Sequence, residues 1–316
     1  MHELDITRRN FQIDPSLHIW GWEIPVYLFL GGIVAGMMII SGYFLFRERY
    51  RDTESASTTL PFLSMVLLSI GMAALFLDLE YKAHVWRMYA TFQITSPMSW
   101  GSWILLLVYP ALFFNMLVRQ PRWIERRIPL LERWSARLHR HPAGIKTVGI
   151  VNMLLGGMLG IYTGVLLSAF GARPLWNSPL LGLLFLVSGL SSAAALVHLF
   201  ARSRWESELL AKSDNAFLTL ELFLLGLFLL GLLTSARAQQ DAALLLLSGV
   251  YAPVFWVFVV GIGIVVPLFL QSLAVTHRIA HSAMPPLMVI AGGVILRFVI
   301  VQAGQVSHWT RVAGLP

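Results

Sequence analysis

The 316 residues are 57% hydrophobic and 12% charged, with a mean hydropathy of +0.71, far from the roughly half apolar, quarter charged balance of water-soluble domains, so lipid is the expected solvent. The net charge of +7 comes without a basic run set in a polar, groove-sized surface, which argues against nucleic acid, and the basic residues lie between apolar blocks, where they act as topology signals. Cysteine is absent, which excludes disulfides, a protein-bound iron–sulfur cluster and a covalent c-type haem from this protein.

At about 20 residues per spanning helix, apolar stretches long enough to cross a bilayer fall at 23–46, 60–79, 99–118, 147–170, 179–200, 215–235, 250–271 and 284–303. The polar start, Met1 to Asp14, mixes acids and bases and does not look like a cleavable signal peptide. The seventh stretch is the least sharply bounded, because Ala242 to Gly249 either extends it or forms a separate interfacial turn before Pro253. No connection is long enough for an independent soluble domain, since such domains start at about 50 residues. The sequence therefore reads as one all-α integral membrane domain over residues 1–316, an eight-helix bundle.

Charge sets its orientation. Connections one, three, five and seven together carry 15 Lys and Arg, against 7 for the remaining connections and both termini. The positive-inside rule then puts the basic connections in the cytoplasm and both termini on the periplasmic side of a bacterial inner membrane. The third connection, Arg119 to Lys146, is the most basic, and its Trp123 and Trp134 among arginines read as an amphipathic segment at the lipid headgroups, the alternative being a plain solvated loop.

Ionisable groups inside a membrane are costly, at least about 2.5 to 3.5 kcal/mol each on insertion scales, and mark functional candidates. Here they gather at the outer side: His18 and Glu23 before and at the first span, Asp78, Glu80 and His84 at the end of the second, Ser99 and Trp100 opening the third. Tyr162, Thr163 and Ser168 follow in the fourth span, Asn177 before the fifth, and Arg297 and Gln302 in the eighth. A buried Arg297 requires a carboxylate, and Asp78 or Glu23 is the expected partner. Helix-end marking accounts equally for Glu80 and Asn177, and an aromatic belt for most of the tryptophans. His198 and Glu221, nearer the cytoplasm, are candidates for a proton path. Gly32 and Gly36, and Gly156 and Gly160, form two GxxxG pairs that let helices approach closely.

These residues narrow the chemistry. Bis-histidine haem needs two histidines at one depth on facing helices, but His84 lies at the outer end, His198 at the inner end, and His277, His281 and His308 in connections or a terminus. A retinal protein needs a lysine within a late helix, and Lys82, Lys146 and Lys212 all sit at helix ends. A quinone asks only for an apolar cleft with one or two polar groups at its carbonyl oxygens and a proton donor nearby. Histidine, tyrosine and carboxylate are all present in the outer cluster. The competing readings are a proton-translocating or transport protein without quinone redox chemistry, and a purely structural anchor.

In the same residues the sequence resembles the NrfD/PsrC family, the multi-pass membrane subunits of polysulfide reductase and related complexes. The matching segments are WEIPVYLFLGGIVAG (22–36), LDLEYKAHVW (77–86), SPMSWGSW (96–103), YTGVLLS (162–168) with RPLWN (173–177), LLFLVSGLSS (183–192) and LRFVIVQAGQ (296–305). The resemblance implies a site for menaquinone or ubiquinone near the periplasmic surface, under a ferredoxin-type iron–sulfur subunit, with a molybdopterin or other catalytic subunit beyond it. It implies that His84 and Tyr162 bind the quinone carbonyls, and it matches Asp78 to the acidic position ending the second span and Arg297 to the arginine of the last; in that reading Asp78 orients or protonates, and Arg297 neutralises Asp78 or stabilises a semiquinone. In the first span Glu23, a further candidate quinone-binding residue, and Ile24 occupy the stretch where some relatives turn an amide or hydroxyl toward the quinone. No haem, iron–sulfur cluster or metal is expected in the protein itself.

Overall fold

The computed structural model describes residues 20–53, 58–120, 129–201, 204–276 and 282–307, so His18, Trp123, His277, His281 and His308 lie outside the described residues. The helices, in sequence order, are α1 (Glu23–Phe46), α2 (Leu60–Asp78), α3 (Arg87–Ala90), α4 (Pro97–Val118), α5 (Pro129–His139) and α6 (Pro142–Ser168). They are followed by α7 (Leu180–Phe200), α8 (Arg204–Leu233), α9 (Arg237–Leu247), α10 (Val254–Val275) and α11 (Met284–Val306). Eight of them, all but α3, α5 and α9, are long and apolar enough to cross a membrane. The first twelve residues of α10, Val254–Val265, are wound as a π-helix before the segment becomes α-helical.

Local chemistry explains where several helices begin. Proline opens α2, α4, α6 and α11 within the first turn, where its missing N–H has no intrahelical partner to lose and its φ is already helical. For this reason α6 starts at Pro142, ahead of the apolar run that begins at 147. The sixth span departs further: it begins at Trp205, about ten residues before the apolar stretch. This polar start is helical and partly buried, Glu206, Leu210 and Ala211 being inaccessible, and Asp214 ties it to Ser191 of α7 and Gln271 of α10. Ala242 to Gly249 does not extend the seventh span; most of it belongs to the separate helix α9. In the third connection α5 is a helix rather than a solvated loop, and the ring of Trp134 meets Phe113 edge-on at 6.3 Å.

The bundle is organised around α1, which packs against α2, α6, α7 and α11. Both GxxxG pairs serve this packing. A Cβ at Gly36 would stand 2.5 Å from Gly189 O, and one at Gly189 would stand 2.4 Å from Gly32 O. Along the other face of α1, a Cβ at Gly156 would stand 2.8 Å from Ala35 O. Helices in lipid gain nothing from expelling water from one another, so backbone approach of this kind is what holds them together. Polar pins add to it: Asn115 Nδ2 donates to Ser41 Oγ at 2.9 Å, joining α4 to α1.

Candidate functional site

Successive spans run antiparallel, so the start of α1, the end of α2, the start of α4 and the end of α6 meet at one end of the bundle. A cavity of about 640 Å³ opens there, lined by Trp20, Ile24 and Tyr27, by α2 from Ser69 to Asp78, and by Val85, Met88 and Tyr89. Gly101, Ser102 and Leu105 of α4 and Tyr162, Leu166 and Phe170 close it. The wall is mainly carbon, with a few polar groups converging, and its size falls within the about 300–1,000 Å³ of small-molecule sites.

Two motifs shape this space. In SPMSWGSW, a Cβ at Gly101 would lie 2.0 Å from the hydroxyl oxygen of Tyr162: the phenol rests on bare backbone, and only glycine leaves room for it. Ser102 Oγ donates to Met88 O at 2.7 Å, and Trp100 Nε1 donates to Ile94 O at 2.8 Å, so the opening turn of α4 clasps the segment 79–96 that covers the cavity. In RPLWN, Trp176 Nε1 donates to Ile300 O at 2.8 Å, and its ring stacks on Trp20 at 5.2 Å. Trp20 N–H donates to Gln305 Oε1 at 2.9 Å while Gln305 Nε2 donates to Trp20 O at 3.0 Å. Arg173 Nη1 donates to Gln305 O at 2.6 Å. The family-like motifs at 173–177 and 296–305 thus fix the aromatic wall in place.

The sequence-derived site residues divide into groups. Asp78 and Tyr162 line the cavity together. Neither the Asp78 carboxylate nor the hydroxyls of Tyr162 and Tyr27 have a hydrogen-bond partner among the described residues, and both tyrosines are almost fully buried, at 6% and 3% exposure. Buried polar groups are nearly always paired, so two buried phenols without a partner, with the half-buried Asp78 carboxylate beside them, mark the space for a polar-headed ligand. Glu23 is half-buried, lies outside the lining, and is close enough to Asp78 for the two carboxylates to act on each other. His84 is exposed in a 3-10 turn, Lys82–His84. Its side chain does not line the cavity, although the next residue, Val85, does. Tyr89, on the short α3, carries a phenol whose partial burial, with the Tyr109 phenol nearby, raises its pKa above the ordinary tyrosine value; it remains a hydrogen-bond donor at neutral pH.

Arg297 corrects an expectation. Its Nη1 donates to Ser188 Oγ at 2.5 Å and its Nη2 to Phe185 O at 2.8 Å, with the guanidinium 4.5 Å from the Phe185 ring. The carboxylate that acts on it is Glu221, which also bonds Ser188. Neither Asp78 nor Glu23 is its partner. The reason is topological: α11 packs on α7 and α1, whereas α2 packs on α1 and α4, so α1 stands between them. Ser188 accepts from Arg297 and donates to Glu221, joining α11, α7 and α8 in one buried relay.

One turn of α7 beyond Ser188, Ser191 Oγ donates to Asp214 Oδ1 at 2.7 Å, and Gln271 Nε2 donates to Asp214 Oδ2 at 2.8 Å. Asp214 is fully buried. Sequence reasoning missed it because it closes the polar stretch RWESELLAKSD, which looks like a connection. The signal was its spacing: Asp214 and Glu221 are seven residues apart, two helical turns and about 10 Å on one face. Tyr27 and Tyr89 were missed too, each being a lone phenol among apolar residues or belt aromatics. His198 is half-buried in the last turn of α7, at the end of the bundle away from the cavity.

Fold and site together define a multi-pass α-helical membrane protein with a mostly apolar, polar-tipped cavity at one end of its bundle. The protein belongs to the polysulphide reductase NrfD family, which it matches over residues 11–308. It is 30% identical to Protein NrfD of Escherichia coli (strain K12) over 314 residues, which covers 92% of the present sequence and 96% of that relative. It is also 30% identical to the matching polysulfide reductase component of Wolinella succinogenes over 303 residues, which covers 91% and 94% of the two sequences. A selenate reductase subunit of Mesobacillus selenatarsenatis is 23% identical over 325 residues, with coverage of 92% here and 75% there.

Proposed function

We propose that this protein is the quinone-binding membrane subunit of a respiratory oxidoreductase complex, exchanging electrons between menaquinone or ubiquinone and a partner iron–sulfur subunit. The carrying observation is the cavity in which Asp78, Tyr162 and Tyr27 present unpaired polar groups from three separate spans to an otherwise apolar space. Such a lining fits a flat, apolar headgroup with two carbonyl oxygens. When bound, a quinone supplies two-electron, two-proton chemistry at those oxygens. Tyr162 donates a hydrogen bond from its position against Gly101, Asp78 holds and passes a proton at the cavity wall, and the aromatic wall excludes water. Glu23 tunes Asp78 by like-charge proximity. His84 is the second carbonyl ligand in this reading, turned inward when a partner presses on the segment that carries it.

The partner is supported by the same segment. Tyr81 and Ile94 are 72% and 70% exposed, and Trp86 and Phe92 stand out beside them, a covering of apolar groups suited to a docked subunit. Two relatives are named as components of polysulfide and selenate reductases, which supports membership of a reductase complex with a ferredoxin-type subunit and a molybdopterin or other catalytic subunit. Cysteine is absent, so the electrons enter and leave through such a partner. The cavity lies opposite the basic connections, and the charge asymmetry argues for the periplasmic side of the bacterial inner membrane for it and for both termini.

The test uses the complex purified from its own host. Co-purified quinone and an iron–sulfur partner are expected; a transporter acting alone would bring neither. Asp78→Asn, Tyr162→Phe and His84→Ala should each lose quinone-linked turnover while the partner still assembles. Unchanged turnover removes that residue from the site. A second reading concerns the other half of the bundle: the buried series Asp214, Ser191, Ser188, Glu221, with His198 beyond it, is proposed as a proton path. It predicts that Glu221→Gln spares quinone binding and lowers proton uptake into sealed vesicles.

A further inference from the structure

At the opposite, basic end of the bundle, α5 lies across the end of α4 and the start of α6. Between them is a second cavity of about 390 Å³, lined by Phe114 and Leu117, by Trp134, Arg137 and Leu138, and by His141 and Gly144. Its two halves differ in chemistry. Phe114 and Leu117 come from a membrane span, and Phe114 and Trp134 are 48% and 43% exposed, an apolar slot open to acyl tails. Arg137 and His141 stand at the polar edge.

Two other cations at this end are engaged. Lys146 Nζ pairs with Glu48 at 3.0 Å, and Arg119 Nη1 donates to the carbonyls of Tyr50 and Thr53 at 2.6 and 2.8 Å. Arg137 has no carboxylate within ion-pair distance among the described residues. A guanidinium without a counter-charge, at headgroup level beside an apolar slot between helices, has the recognition chemistry of a phosphodiester with hydrocarbon tails.

We infer that this cavity holds one anionic glycerophospholipid, its phosphate on Arg137 and His141 and an acyl tail along Phe114 and Leu117, fixing α5 to the bundle. The site is independent of the quinone reading.

The test is native mass spectrometry of the purified full-length protein, delipidated in detergent and titrated with phosphatidylglycerol or phosphatidylcholine. One phosphatidylglycerol should be retained in preference to phosphatidylcholine. Arg137→Gln should weaken retention about fivefold, the expected contribution of one basic residue at a lipid surface. Arg133→Gln makes the same charge change outside the cavity lining and should leave retention unaltered. Gly144→Leu fills the slot without changing charge and should also weaken retention, which covers the case in which Arg137→Gln fails to fold. Equal retention of the two lipids, equal weakening by the two arginine variants, or displacement by soluble glycerol phosphate would each overturn the proposal.

Discussion

Gly101→Ala isolates the geometry of the candidate site in one methyl group. The new Cβ would sit 2.0 Å from the Tyr162 hydroxyl, where ordinary contact starts near 3.4 Å, so the phenol has to retreat by about 1.4 Å. The fold should tolerate this. Alanine gains about 1 kcal/mol over glycine inside a helix, which offsets much of the about 1–3 kcal/mol of overpacking. Function should not, because a 1 Å misplacement of a positioning group costs about 100-fold in rate. The assay is turnover of a short-tail quinol by the purified complex, run for Gly101→Ala, Tyr162→Ala and the double variant. If the methyl acts through Tyr162, it adds less than about twofold once the ring is gone, within the scatter expected of uncoupled sites. A full additional loss in the Tyr162→Ala background would refute the reasoning, since the damage would then lie elsewhere on α4.

Tyr162→Phe removes one neutral hydrogen bond, normally about 1 kcal/mol net, and should weaken equilibrium binding of a short-tail quinone by roughly fivefold without loss of assembly. Arg297→Met leaves Glu221 buried beside Ser188 without its counter-charge; the expected cost is about 3–5 kcal/mol of stability, read as a lowered unfolding midpoint in detergent. Arg297→Met with Glu221→Leu should recover most of it, and a double variant no better than the single would show that the pair is not the unit. Gly189→Ala pushes a methyl to 2.4 Å from the backbone oxygen of Gly32, which cannot yield, whereas a Cβ at Gly157 meets nothing within 4 Å. The first should lower the thermal unfolding temperature clearly, and Gly157→Ala should leave it level or raise it.

Much of the fold was legible because the bilayer imposes a length and a composition on every span. Where the boundaries moved, another rule operated: proline set the start of α6 at Pro142, and Asp214, bonded to Ser191 of α7 and Gln271 of α10, ties the polar start of α8 into the bundle. The site was legible in part. Asp78 and Tyr162 announced themselves as polar groups toward the ends of apolar spans. Tyr27 did not, because a tyrosine between valine and leucine reads as an ordinary apolar neighbour. His84 shows the complementary limit: its position in the sequence puts it at the right depth, yet its exposure depends on the path of the covering segment.

The sequence by itself determined that the protein crosses a membrane with eight helices, which end is basic, and that the glycine pairs of α1 and α6 would let those helices approach others closely. These follow from residue-by-residue transfer energies and side-chain size, which act locally. Which charges meet was decided only in three dimensions. Arg297 faces Ser188 and Glu221 and not Asp78 because helix order around α1, a property of packing, sets neighbours across the bundle. Asp214 became a core residue on the same ground: the helix runs beyond its apolar stretch, and burial follows the helix rather than the hydropathy.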